Sequence, residues 1–211
     1  MKSSKILVKM NITLIIILIT CGVSFMAWNN TELYNKLIFN PYIIFHKNEW
    51  YRLFSSALIH ADIPHLVINM FVLYSFGSFI EQVYDLYIPG GLALYAAMYI
   101  LAIGAANIKT LIENKNNVWY NAVGASGAVS AVVFAFVLFA PIEKILFFGI
   151  IPIPAFLYGL LYLVYSQYMS KKASDNIGHD AHFFGAVFGF VFTGLLRPEL
   201  FQMFVSKIFN Q

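Results

Sequence analysis

Apolar stretches of membrane-crossing length dominate this sequence. Six of them, each near the roughly 20 residues that a helix needs to cross a bilayer, occupy about residues 10–28, 64–84, 89–107, 125–141, 145–168 and 181–197. The mean hydropathy of +0.74, with 11% charged residues, lies outside the range of water-soluble globular domains. Because the segments between the stretches are short, we expect a single all-α integral membrane domain over residues 1–211, built as a bundle of six transmembrane helices.

Positive charges set the expected orientation of the bundle. Lys2, Lys5 and Lys9 precede the first span, and an excess of Lys and Arg marks cytoplasmic segments. The total count of Lys and Arg is nearly even on the two sides, so the orientation depends on this first span. Six spans then return the C-terminus to the cytoplasm, and the second, fourth and sixth spans all begin at the outer surface. A secretory signal ending at Cys21 is the alternative, but Thr20 is bulky for the position before a cleaved cysteine.

The start of the second span carries several polar residues. Asp62, followed by Pro64, is typical of a helix cap and first turn. This places His60 just outside the span, and His65 and Asn69 four residues apart on one of its faces. Ionisable groups within spans are costly to bury, so we interpret His65 as functional. Asn69 could equally bridge two helices by a hydrogen bond, and His60 could be a solvated loop residue.

Small residues surround Ser126 and follow His182. The segment 124–127, Gly-Ala-Ser-Gly, opens the fourth span and by itself indicates helix packing rather than catalysis. His182 opens the sixth span and is followed by Gly185 and Gly189, so one narrow stripe of that helix is an imidazole and then bare backbone. Such a stripe can closely contact the small face of the fourth span, which would bring the serine hydroxyl to the imidazole.

A serine and a histidine at one membrane depth indicate hydrolytic chemistry. A serine hydroxyl is a poor nucleophile until a base takes its proton, and neutral imidazole is suited to that task near pH 7. Neither carboxylate considered for a triad is well placed, because Glu81 lies near the far end of the second span and Asp180 points to a different helix face from His182. We therefore expect a dyad of Ser126 and His182, with His65, Asn69 and the backbone N–H of Ser126 as donors to the oxyanion.

This pattern resembles the rhomboid family of intramembrane serine proteases over about residues 10–197. The residues that carry the resemblance are Trp50-Tyr51-Arg52, His60, His65, Asn69, Gly77, Glu81, Gly124-Ala125-Ser126-Gly127, and His182 with Gly185 and Gly189. The resemblance implies the six-helix core of bacterial members, with the connection 29–57 as a long interfacial loop. It also implies Ser126 as nucleophile, His182 as base, His65 and Asn69 at the oxyanion, and His60 supporting them or near the substrate.

The sequence departs from the family pattern one turn after the serine. Some bacterial relatives carry an aromatic residue there, against which the histidine packs, whereas this chain has Ser130. We expect either another aromatic ring, such as Phe134 or Phe183, or a hydrogen bond to hold His182 in place.

The predicted function is intramembrane serine endopeptidase activity on transmembrane protein substrates in a lipid bilayer. The resemblance implies small residues at the cleaved position and substrate entry beside the fifth span. We expect a bacterial inner membrane, with both termini in the cytoplasm and the site open to the outer side, because hydrolysis needs water that lipid does not supply. A catalytically inactive rhomboid-like binder of membrane helices and a His-lined transporter remain alternatives. We expect no cofactor, metal or nucleic acid, since the chain has one cysteine and lacks the helical HExxH spacing. The oligomeric state is left open.

Overall fold

Helices make up most of the structure. The computed structural model describes residues 11–147, 149–172 and 177–209, so the three N-terminal lysines lie outside the described residues. The helices are α1 Ile12–Trp28, α2 Thr31–Leu37, α3 Pro41–Lys47, α4 Arg52–Ser55, α5 Ile63–Val72, α6 Ser78–Tyr87, α7 Gly91–Glu113, α8 Ser126–Phe139, α9 Ala155–Lys172, α10 His179–Leu196 and α11 Glu199–Phe209. Two strands, β1 Lys144–Phe147 and β2 Ile151–Pro154, separate α8 from α9.

Several of these helices suit a bilayer. A π-helical turn, Leu73–Gly77, joins α5 and α6 into one helix of 25 residues. Among the described residues, this helix, α7 and α10 are long and apolar enough to cross a membrane, while α1 and α8 are apolar but shorter. The helix α9 is less apolar because it carries four tyrosines and two lysines. The chain is therefore an integral membrane protein, with three helices that meet both criteria where six spans were predicted.

The predicted fifth span was wrong in its first part. Residues expected to begin a helix at 145 instead form an antiparallel hairpin, in which Lys144 pairs with Pro154 and Phe147 with Ile151. Pro152 lies inside this hairpin, and a proline lacks the N–H that a helix interior requires. A short apolar run does not distinguish a strand from a buried helix by periodicity. The helix starts only at Ala155, after the prolines.

The helix α8 forms the centre of the bundle. Most of its 14 residues are buried, and α7, α9 and α10 all contact it. Its closest neighbour is α10, where a Cβ added to Gly185 would lie 2.0 Å from the carbonyl oxygen of Gly127, and one added to Gly189 would lie 2.0 Å from that of Ala131. No side chain fits at either glycine, so the two backbones are in direct contact. This contact fixes the depth of α10 relative to α8.

The first long loop is a structured layer rather than a flexible connection. Its helices α2 and α4 are tied together by Arg52, which is 6% exposed. The guanidinium donates hydrogen bonds to the carbonyl oxygens of Asn35 and Ile38 and pairs with Glu49 at 2.6 Å. Because this buried cation of α4 satisfies two carbonyls at the C-terminal end of α2, the two helices are held together and can support the residues that follow them.

Candidate active site

The segment that leads into Ser126 is attached to the first long loop. Phe39 and Ala122 exchange two backbone hydrogen bonds of 3.0 Å. The backbone N–H of Gly124 donates to the carbonyl of Ser56 at 2.9 Å. Gly124 has φ +118°, a conformation that L side chains rarely adopt. The loop, and not α8 alone, therefore sets where the serine begins its helix.

The structure brings Ser126 and His182 into hydrogen-bond contact. The distance between Ser126 Oγ and His182 Nε2 is 2.8 Å. Ser126 is the first residue of α8, while His182 lies in the first turn of α10, one turn before the contact between Gly185 and Gly127. Both residues are partly exposed. A serine that donates to Nε2 requires the tautomer with its proton on Nδ1, and in that state the imidazole can accept the hydroxyl proton.

His65 lies beside the loop that leads to Ser126, and Asn69 lies one turn further along α5. A Cβ added to Gly124 would be 2.9 Å from His65 Nε2, so the imidazole lies directly against this glycine. The backbone N–H of His65 donates to Asp62, the cap of α5, at 2.7 Å. Asn69 is 5% exposed and uses one amide proton to donate to the His65 carbonyl at 2.9 Å. The second amide proton is the one that an oxyanion could use.

His60 is fully buried, which excludes the alternative that it is a solvated loop residue. Its Nε2 accepts the backbone N–H of Ala125 at 3.4 Å. Ser24 donates its one hydroxyl proton to Leu58 O at 3.0 Å, so His60 Nδ1 must donate to Ser24 Oγ at 3.1 Å. Burial lowers the pKa of His60 to about 4, which keeps the ring neutral. His60 therefore links α1 to the residue that precedes Ser126.

The carboxylates considered for a triad are bonded elsewhere. Asp180 accepts hydrogen bonds from Lys109 Nζ at 2.8 Å and Ser170 Oγ at 2.6 Å, which ties the start of α10 to α7 and α9. Glu81 binds the backbone N–H groups of Ile12 and Thr13 at the opposite end of the bundle. No group of three or more His, Cys, Asp or Glu side chains that could hold a metal ion occurs within residues 11–147, 149–172 and 177–209.

An aromatic ring stacks on His182, and it comes from α9. The ring of Tyr162 lies 6.2 Å from that of His182 at an interplanar angle of 26°, and its hydroxyl is 2.6 Å from Ser130 Oγ. Of the two rings expected from the sequence, Phe134 packs against Tyr162 and Phe183 against its neighbour in the chain. Sequence reasoning missed Tyr162 because the spacing along α9 carries no sign of a contact with another helix.

Comparison with known proteins places this geometry in a family. Residues 47–199 match the family model described as Rhomboid domain, a range that includes every residue from His60 to His182 discussed above. This match confirms the resemblance predicted from the motifs.

Curated relatives come from a plant and a bacterium. RHOMBOID-like protein 12, mitochondrial, of Arabidopsis thaliana is 27% identical over 169 residues, 75% of this chain and 50% of the relative. Rhomboid-like protein 11, chloroplastic, of the same plant is 29% identical over 159 residues, 70% of this chain and 52% of the relative. Rhomboid protease GluP of Bacillus subtilis (strain 168) is 25% identical over 155 residues, 74% of this chain and 28% of the relative. The chain thus spans about half the length of the first two relatives and less of the third.

Proposed function

This chain belongs to the rhomboid family, and we propose that it is an intramembrane serine endopeptidase that cleaves peptide bonds in or near transmembrane segments. The observation that carries the proposal is the 2.8 Å contact between Ser126 Oγ and His182 Nε2. A hydroxyl that already donates to a neutral imidazole needs only a carbonyl carbon within reach to act as a nucleophile. The name of one relative, rhomboid protease GluP, is consistent with that activity.

The reaction proceeds by acyl transfer in two halves. Ser126 Oγ attacks the scissile carbonyl carbon while His182 Nε2 takes its proton, and the carbonyl oxygen becomes an oxyanion. When this intermediate collapses, the C–N bond breaks and His182 returns the proton to the leaving amine. Water then attacks the acyl group on Ser126 with His182 again as base, which releases the new carboxyl end and restores the serine.

The oxyanion lies among donors from two helices. The backbone N–H of Ser126 is at the N-terminus of α8, where unpaired N–H groups favour negative charge. His65, against the loop at Gly124, and the second amide proton of Asn69 supply the side-chain donors. Removing one donor of this kind typically raises a barrier by about 2.7–4 kcal/mol.

The substrates are membrane proteins with unstable helix ends. All carbonyls of a regular transmembrane helix are hydrogen-bonded, so a segment must become extended before Ser126 can reach it. Glycine, proline or polar residues near the membrane surface make that unwinding easier. In the proposed topology α1, the helix α5–α6, α7, α8, α9 and α10 make six crossings, and the partly exposed dyad opens to water on the outer side.

Cleavage by the purified protein tests the proposal. In detergent, the protein should cut a fluorescent single-span substrate, and Ser126→Ala and His182→Ala should each lower the rate by on the order of 10⁴-fold or more. A fluorophosphonate should label the parent protein but not Ser126→Ala. Ser75→Ala, in which an exposed serine that donates to Phe71 O is removed, is the matched control and should keep both activities.

The contrary results separate the proposal from its alternative. Cleavage that persists in Ser126→Ala, with labelling unchanged, would exclude the dyad. If the parent and Ser126→Ala proteins bind the single-span substrate equally and neither cuts it, the chain is an inactive rhomboid-like binder.

A further inference from the structure

Tyr162 is joined to the nucleophile as well as to the base. Ser130 Oγ lies 2.8 Å from the backbone carbonyl oxygen of Ser126 and 2.6 Å from the hydroxyl of Tyr162. A serine hydroxyl has one proton, and the carbonyl can only accept. Ser130 therefore donates to the Ser126 carbonyl, and Tyr162 must donate to Ser130.

The contacts close a circuit around the dyad. Ser126 Oγ contacts His182 Nε2 at 2.8 Å, and the His182 ring lies 6.2 Å from the Tyr162 ring. The Tyr162 hydroxyl contacts Ser130 Oγ at 2.6 Å, and Ser130 Oγ contacts the Ser126 carbonyl at 2.8 Å, which returns to the starting residue. Three helices, α8, α9 and α10, contribute to it. Ser130 is 5% exposed, so water does not compete strongly for its hydrogen bonds.

Resting on the proposed function, we propose that Tyr162 and Ser130 are positioning residues that hold the imidazole of His182 in the orientation needed to accept the proton of Ser126. The χ2 torsion of a histidine has a broad energy profile, and only part of its range aims Nε2 at the serine. A ring stacked at 26° on one face narrows that range. The hydrogen bond to Ser130 in turn fixes the height of the tyrosine relative to α8.

The hydrogen bonds of Asp180 go to residues other than His182. In a Ser-His-Asp triad the carboxylate orients the imidazole through Nδ1. Here Asp180, two residues from His182, is bonded to Lys109 and Ser170. The tyrosine, anchored to the backbone of the nucleophile itself, contributes to the orientation by packing.

Three single variants, together with the double variant Tyr162→Phe/Ser130→Ala, separate the role of the ring from that of its hydroxyl. Tyr162→Leu removes the stacked ring, Tyr162→Phe keeps it and removes the donor, and Ser130→Ala removes the acceptor. The matched control is Tyr158→Phe, the same change one turn earlier on α9, at a ring that stacks on Tyr162 at 5.9 Å. For each protein, kcat and KM are measured on the single-span substrate, with the melting temperature in the same detergent.

The expected results follow from the geometry. Tyr162→Leu should lower kcat by about 10–100-fold with KM nearly unchanged, because a misplaced catalytic group affects the chemical step. Tyr162→Phe and Ser130→Ala should each lower kcat by about 3–10-fold. The double variant should lose no more than Ser130→Ala alone, since both changes break the hydrogen bond between Tyr162 and Ser130. Tyr158→Phe should keep the parent kcat.

Several outcomes would overturn the positioning role. Full kcat in Tyr162→Leu would do so, as would a loss that follows the fall in melting temperature or appears only in KM. Independent, multiplying losses in Tyr162→Phe and Ser130→Ala would show that the two hydroxyls do not act through one bond. A parent protein without Ser126-dependent cleavage would instead refute the proposed function, and the positioning role with it.

Discussion

The two ends of the bundle both contain buried polar side chains, yet they use them differently. Where α1 begins, Glu81 accepts the backbone N–H groups of Ile12 at 2.7 Å and Thr13 at 2.9 Å, and the Thr13 hydroxyl bonds to Tyr95 at 2.8 Å. We call these four residues the Glu81 cluster. A carboxylate at the first N–H groups of a helix is favourable both as a hydrogen-bond acceptor and as a negative charge. Each polar group in the cluster has a fixed partner.

The other end, where α8 and α10 begin, leaves Ser126 and His182 partly exposed. Ser126 and His182 bond to each other, and both can be reached from outside the bundle. Around them, fully bonded groups such as His60 hold the backbone in place. The comparison teaches that a buried polar residue in a membrane protein is not by itself a sign of reactivity. Reactivity requires a pair with a transferable proton and room for a substrate.

Replacing Asn69 should give the largest loss of activity for the smallest loss of stability. Asn69→Ala should lower kcat by about 10²–10³-fold, equal to about 2.7–4 kcal/mol of barrier, because one donor to the oxyanion is lost. The melting temperature should change little, since the His65 carbonyl keeps its hydrogen bond within the helix. The matched control is Asn107→Ala, because Asn107 also donates to the carbonyl four residues earlier, Ile103, at 2.9 Å. Equal kcat in the two variants would show that Asn69 does not donate to the oxyanion.

Replacing Glu81 should show the opposite behaviour. Glu81→Ala leaves the buried N–H of Thr13 and the partly buried N–H of Ile12 without an acceptor. A buried unsatisfied group costs about 1–3 kcal/mol. The melting temperature in detergent should fall clearly, while kcat measured below that temperature stays near the parent value. Glu81→Gln, which keeps one acceptor oxygen, should lose less stability. A variant that melts like the parent but has lost its kcat would contradict the structural assignment of the Glu81 cluster.

Much of the fold could be predicted because the bilayer limits the alternatives. A chain in lipid must satisfy its backbone internally, so a long apolar run is a helix, and α8 begins within one residue and α10 within two of the predicted starts. The hairpin at 144–154 was missed because it is as apolar as a helix. Its two prolines were the available signal.

The part of the site that could be predicted is the part that depends on the spacing of residues along one helix. Gly185 and Gly189 mark the face of α10 that contacts α8, and that contact brings His182 to Ser126. The buried contacts of His60 and the stacking of Tyr162 depend on which helices are neighbours in space. A single sequence does not show which helices are neighbours in space.

The pH dependence of stability distinguishes the end that contains His60. Burial lowers the pKa of His60 to about 4, whereas a histidine in an unfolded chain has a pKa of about 6.5. Between these values the unfolded chain binds a proton that the folded chain does not, so stability falls as the pH falls, by about 2 kcal/mol at pH 5. Melting temperatures from pH 7 to pH 5 measure this slope. His60→Gln, which cannot ionise, should have a smaller slope, and an equal slope would mean that other groups cause it.

The smallest effect concerns Thr193, which lies on α10 three turns beyond His182. Its hydroxyl donates to Gly189 O at 2.7 Å and contacts the Tyr84 hydroxyl at 2.7 Å. Thr193→Val keeps the shape of the side chain and should cost about 0.6 kcal/mol and no more than about 1.7 kcal/mol, the average and the maximum measured for hydrogen bonds between membrane helices. The matched control is Thr20→Val, because the buried Thr20 hydroxyl has no hydrogen-bond partner among the described residues, so its loss should leave the melting temperature unchanged or raise it. If Thr193→Val lowered kcat more than it lowered stability, the bonds within the bundle would also affect the dyad, and the separation of the two ends would fail.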